Sequence, residues 1–348
     1  MTDSPYIIHK DCTLLEALQQ INRLGTDPLV LFVVDDDGRM VGTLTDGDSR
    51  RALIAGATIG DKTESVMHRD FHSLTFDGEY DVRSLHLQKQ LKLKLIPVLD
   101  KDHHIIDIVN LSKYLSKLPI DAVIMAGGKG ERLRPLTEHT PKPLLKVGNK
   151  AIIDYNVDNL IAYGVEHISV TVNYLHEQLE NHFQEPRDGI QIKTVPEPRY
   201  LGTIGSVRFV GQFFHDTVLI MNSDLFTNIN FEDFYLHFTE HGADMSAVAV
   251  PYSVTVPYGI FDINGERDIK GVLEKPTYNY YANAGIYLIR RQMIEHYIPD
   301  DTFLNATDFM ERLIADGRKV IRFPLSGYWI DIGNKQEYTK AQDLARHL

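Results

Sequence analysis

The sequence predicts an α/β protein of two domains, residues 1–118 and 120–348, and three observations carry that reading. Apolar strands alternate with amphipathic helices from residue 120 onward. Residues 1–118 hold two loosely related halves, an internal repeat of about 60 residues that implies two modules packed as a pair. The chain has 348 residues, 43% of them apolar, which is enough to fill two cores.

In the first half, Leu14–Ile21 has helical spacing, Pro28–Val34 is a strand, Asp35–Gly38 a turn and Met40–Thr45 a second strand. A helix starts near Asp46 to Asp48. The second half repeats this order with a strand over Lys94–Leu99, a turn at Asp100–Asp102, a strand over Ile105–Val109 and a short helix over Leu111–Leu118. Pro119 stops that helix, and Lys117–Asp121 leaves almost no linker. Beyond it, Asp121–Ala126 is a strand, Ile152–Tyr163 a helix ended by Gly164, and His167–Val172 the next strand. Strand, helix and strand in this order form a βαβ unit with a parallel sheet. Ligands then belong at the carboxyl ends of the strands, where Asn173 and Tyr174 fall. Further on, Thr217–Met221 and Tyr258–Asp262 read as strands, a helix begins near Val207, and Lys335–Leu344 reads as a closing helix.

The formal charge of −12 leaves no basic footprint for nucleic acid or anionic lipid, so positive charge must be local wherever phosphate binds. Cys12 is the only cysteine, which rules out an internal disulfide or a thiolate zinc cluster. The N-terminus lacks a basic region followed by an apolar run, and no apolar stretch reaches the ~18 residues of a membrane span. The expectation is a soluble protein of a reducing cytoplasm, with neither nucleic acid nor membrane as partner.

The run Met125-Ala-Gly-Gly-Lys-Gly-Glu-Arg-Leu-Arg-Pro-Leu-Thr137, followed by Pro141-Lys-Pro-Leu144, sets a glycine loop and fixed cations directly after a strand. Gly127, Gly128 and Gly130 permit the close backbone approach that a wrapped phosphate needs. Arg132 can meet phosphate as a fork and Lys142 as a point charge. Neither the dinucleotide glycine fingerprint nor the P-loop fits, because Arg-Leu-x-Pro-Leu-Thr follows the glycines.

With these residues in this order, residues 120–348 resemble the sugar-1-phosphate nucleotidyltransferases of the glucose-1-phosphate thymidylyltransferase and mannose-1-phosphate guanylyltransferase superfamily. Later motifs follow in the family's order: Leu201-Gly-Thr-Ile-Gly-Ser206, Asn222-Ser-Asp224, Gly271-Val-Leu-Glu-Lys-Pro276, Tyr281-Ala-Asn-Ala-Gly-Ile-Tyr287 and Gly327-Tyr-Trp-Ile-Asp-Ile-Gly333. The resemblance implies a Rossmann-like mixed sheet and the condensation of a nucleoside triphosphate with a sugar 1-phosphate, releasing pyrophosphate. It assigns Arg132, Lys142, Asp224 and Lys275 to catalysis, and Ala126, Gly127, Gly128, Gly130, Gly202 and Thr203 to the nucleotide. It places Glu197, Glu274, Lys275, Asn283 and Gly285 around the sugar phosphate, and Asp224 with Asp331 on Mg²⁺. Without the resemblance, Glu274-Lys275-Pro276 reads as a surface turn.

Residues 1–118 resemble a tandem CBS domain, whose cleft in many proteins takes adenosine nucleotides. Gly42-Thr-Leu-Thr-Asp-Gly-Asp48 implies Thr45 near phosphate and Asp48 on ribose, whereas Asp107-Ile-Val-Asn110 departs from the pattern, so one competent site or none is expected. Asp46 and Asp48 equally suit an ordinary helix N-terminus, so a packing or oligomerisation role for residues 1–118 stands beside regulatory nucleotide binding. An even-numbered homo-oligomer is expected. A CBS pair joined to this transferase resembles enzymes that supply guanosine diphosphate-activated sugars for surface glycans. GTP is therefore the first choice, with glucosamine, N-acetylglucosamine or mannose 1-phosphate as acceptor. Thymidylyl, cytidylyl or uridylyl transfer is the alternative, and a non-catalytic protein sensing adenosine nucleotides is the alternative of a different class.

Overall fold

A computed structural model of the chain describes residues 4–265 and 267–347. Internal contacts divide it into two compact units, Met1–Pro119 with Ala162–Gly164 and Ile120–Ile161 with Val165–Leu348.

In the smaller unit, Ile7–His9 pairs in parallel with Val30–Val34, which pairs antiparallel with Met40–Thr45. The pattern recurs: Leu74–Thr75 is parallel to Leu95–Leu99, and Leu95–Leu99 antiparallel to Ile105–Asn110. Phe32 and Met40 of the first sheet share a core with Leu95, Leu99 and Ile105 of the second. The helix Leu14–Arg23 buries Leu14, Ala17 and Ile21 on one face and starts at a capping box between Thr13 and Glu16. The second half has a helix at Val82–Lys89, but the one expected over Leu111–Leu118 does not form. Its first amides turn back instead: Ser112 donates to the Asn110 side chain, and Lys113 and Tyr114 to the Asn110 carbonyl. A local side-chain acceptor of this kind competes with helix propagation.

In the larger unit, Ile120–Ala126 is buried on both faces, as a central parallel strand should be. His167–Val172 and Thr217–Asn222 flank it in parallel, and Lys193–Pro196 lies parallel beyond His167–Val172. On the other side Thr277–Arg290 runs antiparallel to both of its neighbours, Thr217–Asn222 and Met245–Thr255, and Val320–Pro324, parallel to Met245–Thr255, completes seven strands. The sheet is mixed. Its chain order reverses between Ile120–Ala126 and Thr217–Asn222, the switch point at which a crevice opens beyond the carboxyl ends.

The segment after the second glycine loop is a 3₁₀ helix at Gly205–Val210 rather than the α-helix expected near Val207. The amides of Ile204 and Gly205 both bond the distant Leu304 carbonyl, which fixes the entry to this segment from outside it. Leu225–Thr227 pairs with Trp329–Asp331 in a small sheet of its own. The outer halves of Met245–Thr255 and Thr277–Arg290 run on as an exposed ribbon, with the hairpin Ile260–Asn264 and Asp268–Leu273 between them in sequence. Among the described residues, no helix is long and apolar enough to cross a membrane.

Candidate active site

A cavity of about 680 Å³ opens at the switch point. Of the residues singled out from the sequence, Ala126, Gly127, Gly128, Gly130, Arg132, Lys142, Glu197, Gly202, Thr203 and Asp224 all line it. Asn173, Tyr200, Asn222 and Ser223 join them.

The glycine loop is shaped by its neighbours in space. Gly130 has φ +63°, and its carbonyl accepts from the Thr137 hydroxyl at 2.8 Å. A Cβ on Gly130 would meet Thr137 Cγ2 at 3.0 Å and Lys142 Cβ at 3.1 Å, so the Pro-Leu-Thr turn and Pro-Lys-Pro are the walls that fold the loop. At Gly127 a Cβ would lie 2.4 Å from Glu197 Oε1. Glu197 is therefore packed against the glycine loop, and burial pushes its carboxyl up, while bonds from the Leu201 amide and the Ser206 and Thr171 side chains pull the other way. Sequence spacing alone could not pair Gly127 with Glu197.

Gly202 and Thr203 are clamped from outside. The Thr203 hydroxyl accepts from the Ala306 amide at 2.8 Å, at the start of the helix Ala306–Ala315, and the Leu304 amide donates to the Leu201 carbonyl. The neighbouring Tyr200 is half-exposed at the cavity wall and stands edge-on to Phe303, with ring centroids 6.0 Å apart. Tyr200 had no role in the motif reading; an aromatic residue next to a glycine loop is its only sequence signal.

The charges gather at one point. Lys142 Nζ bonds Asp224 Oδ2, and the other oxygen of Asp224 is buried without a hydrogen-bond partner. Asp331 pairs with Leu225 across the small sheet, and the Ile332 amide donates to the Asp224 carbonyl at 3.1 Å. The main chain thus holds the two aspartates side by side. Burial, and next the charge of Asp224, push the Asp331 carboxyl above its ordinary range, while Lys142 and Arg132 oppose this. A buried carboxylate oxygen without a donor, beside a second carboxyl held up by its neighbour, is the donor set a hard cation compensates. The aspartates therefore fit a divalent ion. Arg132 stands against the same motif: a Cβ on Gly333 would lie 3.2 Å from its guanidinium.

The remaining sugar-side residues are placed less uniformly. Gly285 packs on Asn222, whose amide nitrogen a Cβ there would meet at 2.4 Å. Asn283 bonds the Gly285 amide and the Tyr287 hydroxyl, and the Trp329 indole donates to the Ala284 carbonyl. Asn283 and Gly285 thus stand behind the cavity wall. Glu274 and Lys275 do not line the cavity. They lie on an exposed turn, with Lys275 at φ +45°.

In the smaller unit, Thr45 caps the helix Asp46–Ile54. Its hydroxyl accepts from the Asp48 amide and donates to the Asp48 carboxylate, which also bonds Arg51. An open cavity of about 440 Å³ lies beside Asp48 and Arg51, and Thr45 is not in its lining. A second cluster joins half-buried His9 to exposed Asp11 and Asp36, whose carboxylates already pair with Lys62 and Lys10.

The nucleotidyl transferase family profile matches residues 121–347, and the CBS domain profile matches residues 1–54. The chain belongs to the nucleotidyl transferase family. As a nucleotidyl transferase with an N-terminal CBS domain, it is similar to the mannose-1-phosphate guanylyltransferase catalytic subunit beta of Danio rerio, at 31% identity over 225 residues. It is also similar to the mannose-1-phosphate guanyltransferase of Schizosaccharomyces pombe, at 31% over 228 residues. Each alignment covers 62% of this chain and 62% of the relative, so the chain spans less than two thirds of their length. The fold is shared with HddC from Yersinia pseudotuberculosis, solved in complex with GMP-PN, at TM-score 0.52 and 23% identity over 65% of this chain and 99% of that one. One CBS domain is matched in the N-terminal region, where the sequence reading expected a pair.

Proposed function

We propose that residues 120–348 transfer a nucleoside monophosphate from a nucleoside triphosphate, GTP first, to a sugar 1-phosphate, with pyrophosphate as the other product. The observation that carries this is Asp224: a carboxylate at the switch point, bonded by Lys142, with one oxygen buried and unpartnered next to Asp331. The glycine loop and Arg132 line the same cavity as Asp224, where a triphosphate's charge would be met.

In this reading an oxygen of the sugar phosphate attacks the α-phosphorus, forming the new P–O bond while the bond to the β-phosphate oxygen breaks in line with it. The nucleophile arrives ionised, so no general base is required. Arg132 receives the charge of the departing pyrophosphate, and Lys142 faces the α-phosphoryl group. Asp224 and Asp331 would hold Mg²⁺, which supplies charge compensation to the triphosphate. Glu197, Asn283 and Gly285 shape the pocket. For Glu274 and Lys275 the support is their motif, which assigns them to the sugar hydroxyls and sugar phosphate. Guanosine is supported by the names of the two curated relatives. Acceptors are glucosamine, N-acetylglucosamine or mannose 1-phosphate.

Residues 1–118 we assign to a CBS-type regulatory pair taking an adenosine nucleotide beside Asp48. The recurring three-strand pattern and the open cavity there support this, although Thr45 and Asp48 spend their side-chain bonds on the helix cap. The test of both assignments is magnesium-dependent pyrophosphate release across nucleoside triphosphates and sugar 1-phosphates, with and without AMP or ATP. Release confined to one pair, and altered by adenosine nucleotide, is expected. Folded protein that is silent with every pair contradicts the transferase reading, and indifference to AMP and ATP contradicts the regulatory one.

A further inference from the structure

We propose that Asn156 is a positioning residue that sets the carboxylate of Asp224 for its cation, an inference that rests on the assignment of Asp224 and Asp331 to a divalent ion. The helix Ile152–Ala162 turns a mostly apolar face inward, burying Ile152, Ile153, Val157, Leu160 and Ile161. Asn156 lies on that face and is 3% exposed. An amide serves neither packing nor helix stability there, since burying it without partners is costly and Asn is a weak helix former. What it gains is a pair of main-chain acceptors: its Nδ2 donates to the Leu225 carbonyl at 3.0 Å and to the Ser223 carbonyl at 3.5 Å. A single side chain therefore grips the residues on either side of Asp224.

The main chain needs a grip at this point. Thr217–Asn222 ends in the seven-stranded sheet and Leu225–Thr227 starts in the small sheet with Trp329–Asp331, so Ser223 and Asp224 make the crossing between the sheets. The Ser223 amide is held by the Met125 carbonyl of the central strand at 3.1 Å, and the Asp224 carbonyl by the Ile332 amide at 3.1 Å. Asn156 holds the crossing from the helix. The carbonyls of Ser223, Asp224 and Leu225 thus all have donors, and the Asp224 side chain leaves a fixed backbone. That matters because Oδ1 of Asp224 is the buried oxygen without a partner, so its place is set by the backbone and by the Lys142 bond to Oδ2. Mg²⁺ demands near-ideal octahedral geometry at ~2.0–2.1 Å. Groups that orient a metal's ligands typically carry about 10- to 100-fold in affinity.

The test reads the metal rather than turnover. Trp329 is the chain's one tryptophan and stands two residues before Asp331, so Mn²⁺, which suits the same oxygen ligands as Mg²⁺, should quench its fluorescence on binding. The full chain is titrated with Mn²⁺ alone as wild type, as Asp224→Asn, and as Asn156→Leu, which nearly keeps the volume and removes the donor. Saturable quenching is expected in the wild type and its loss in Asp224→Asn. In Asn156→Leu the dissociation constant should rise about 10- to 100-fold, at a temperature where its circular dichroism matches the wild type. Should Asn156→Leu fail to fold, Asn156→Ser, small enough to admit a water, takes its place with the same expectation. A variant that melts lower yet binds Mn²⁺ as tightly as wild type makes Asn156 a packing residue and overturns the inference alone. Quenching that is absent from the wild type, or equal in wild type and Asp224→Asn, removes the assignment of the ion and this inference with it.

Discussion

Two carboxylate sites, one in each unit, show opposite uses of the same chemistry. Asp48 sits at the start of a helix with its bonds made: the Thr45 amide and hydroxyl and the Arg51 guanidinium all donate to it. Burial works to raise its carboxyl, yet those donors outweigh burial and hold it below the ordinary range. Asp224 instead keeps one buried oxygen without a donor, and its neighbour Asp331 is pushed up. A carboxylate that serves the fold is satisfied by the fold. One left short at the carboxyl ends of parallel strands stands ready for something the chain itself does not supply.

The contrast predicts effects of very different size. Asp224→Asn, and separately Arg132→Ala, should cut pyrophosphate release by about 100-fold or more while leaving the circular dichroism spectrum unchanged. Near-normal release by either purified variant removes that residue from its role. Next comes the cation. Adding Mg²⁺ at about 100 times its dissociation constant should stabilise the wild type by ~2.7 kcal/mol and Asp224→Asn far less. A thermal shift equal in both proteins would break the assignment of Asp224. Gly127→Ala drives a methyl into the Glu197 carboxylate and should cost about 1–3 kcal/mol in urea unfolding, with nucleotide use impaired as well.

The smallest effect belongs to the satisfied site. Thr45→Ala removes a helix cap and should cost ~1 kcal/mol. Because Asp48 has its pKa lowered in the fold, the stability it contributes is present above the ordinary carboxylate range and is lost as pH falls through the lowered value. The gap in melting temperature between wild type and Thr45→Ala should accordingly narrow in acid. A gap that is constant or widens toward low pH would deny that the ionised carboxylate is part of the cap.

The difference between these sites also explains what could be read in advance. The central strand, the glycine loop and the cations Arg132 and Lys142 are legible as short runs of suitable residue types after a strand, whereas Asp224 is singled out only by the family resemblance. The seven-stranded sheet brings those runs to one cavity. Contacts between distant segments were out of reach. Nothing in the sequence tells that Gly127 packs on Glu197, that Thr203 spends its hydroxyl on Ala306, or that the amides after Asn110 close a turn where apolar spacing promised a helix. The ribbon shows the same limit. Its period-2 pattern marks strands, but only the fold shows that the apolar face of Tyr252 and Tyr280 meets nothing in the described chain that buries it, and that Glu274 and Lys275 lie on an exposed turn outside the cavity wall. Lys275→Ala sharpens that point: weaker use of the sugar phosphate at unchanged nucleotide binding supports its motif assignment, and a loss confined to nucleotide binding contradicts it.

The most direct measurement is pyrophosphate release by the purified full chain with Mg²⁺, for each nucleoside triphosphate paired with each common sugar 1-phosphate. The account predicts release with GTP and an amino-sugar or mannose 1-phosphate, abolished by a chelator and by Asp224→Asn. Release that persists after chelation, or folded protein that is inactive with every pair, would contradict it.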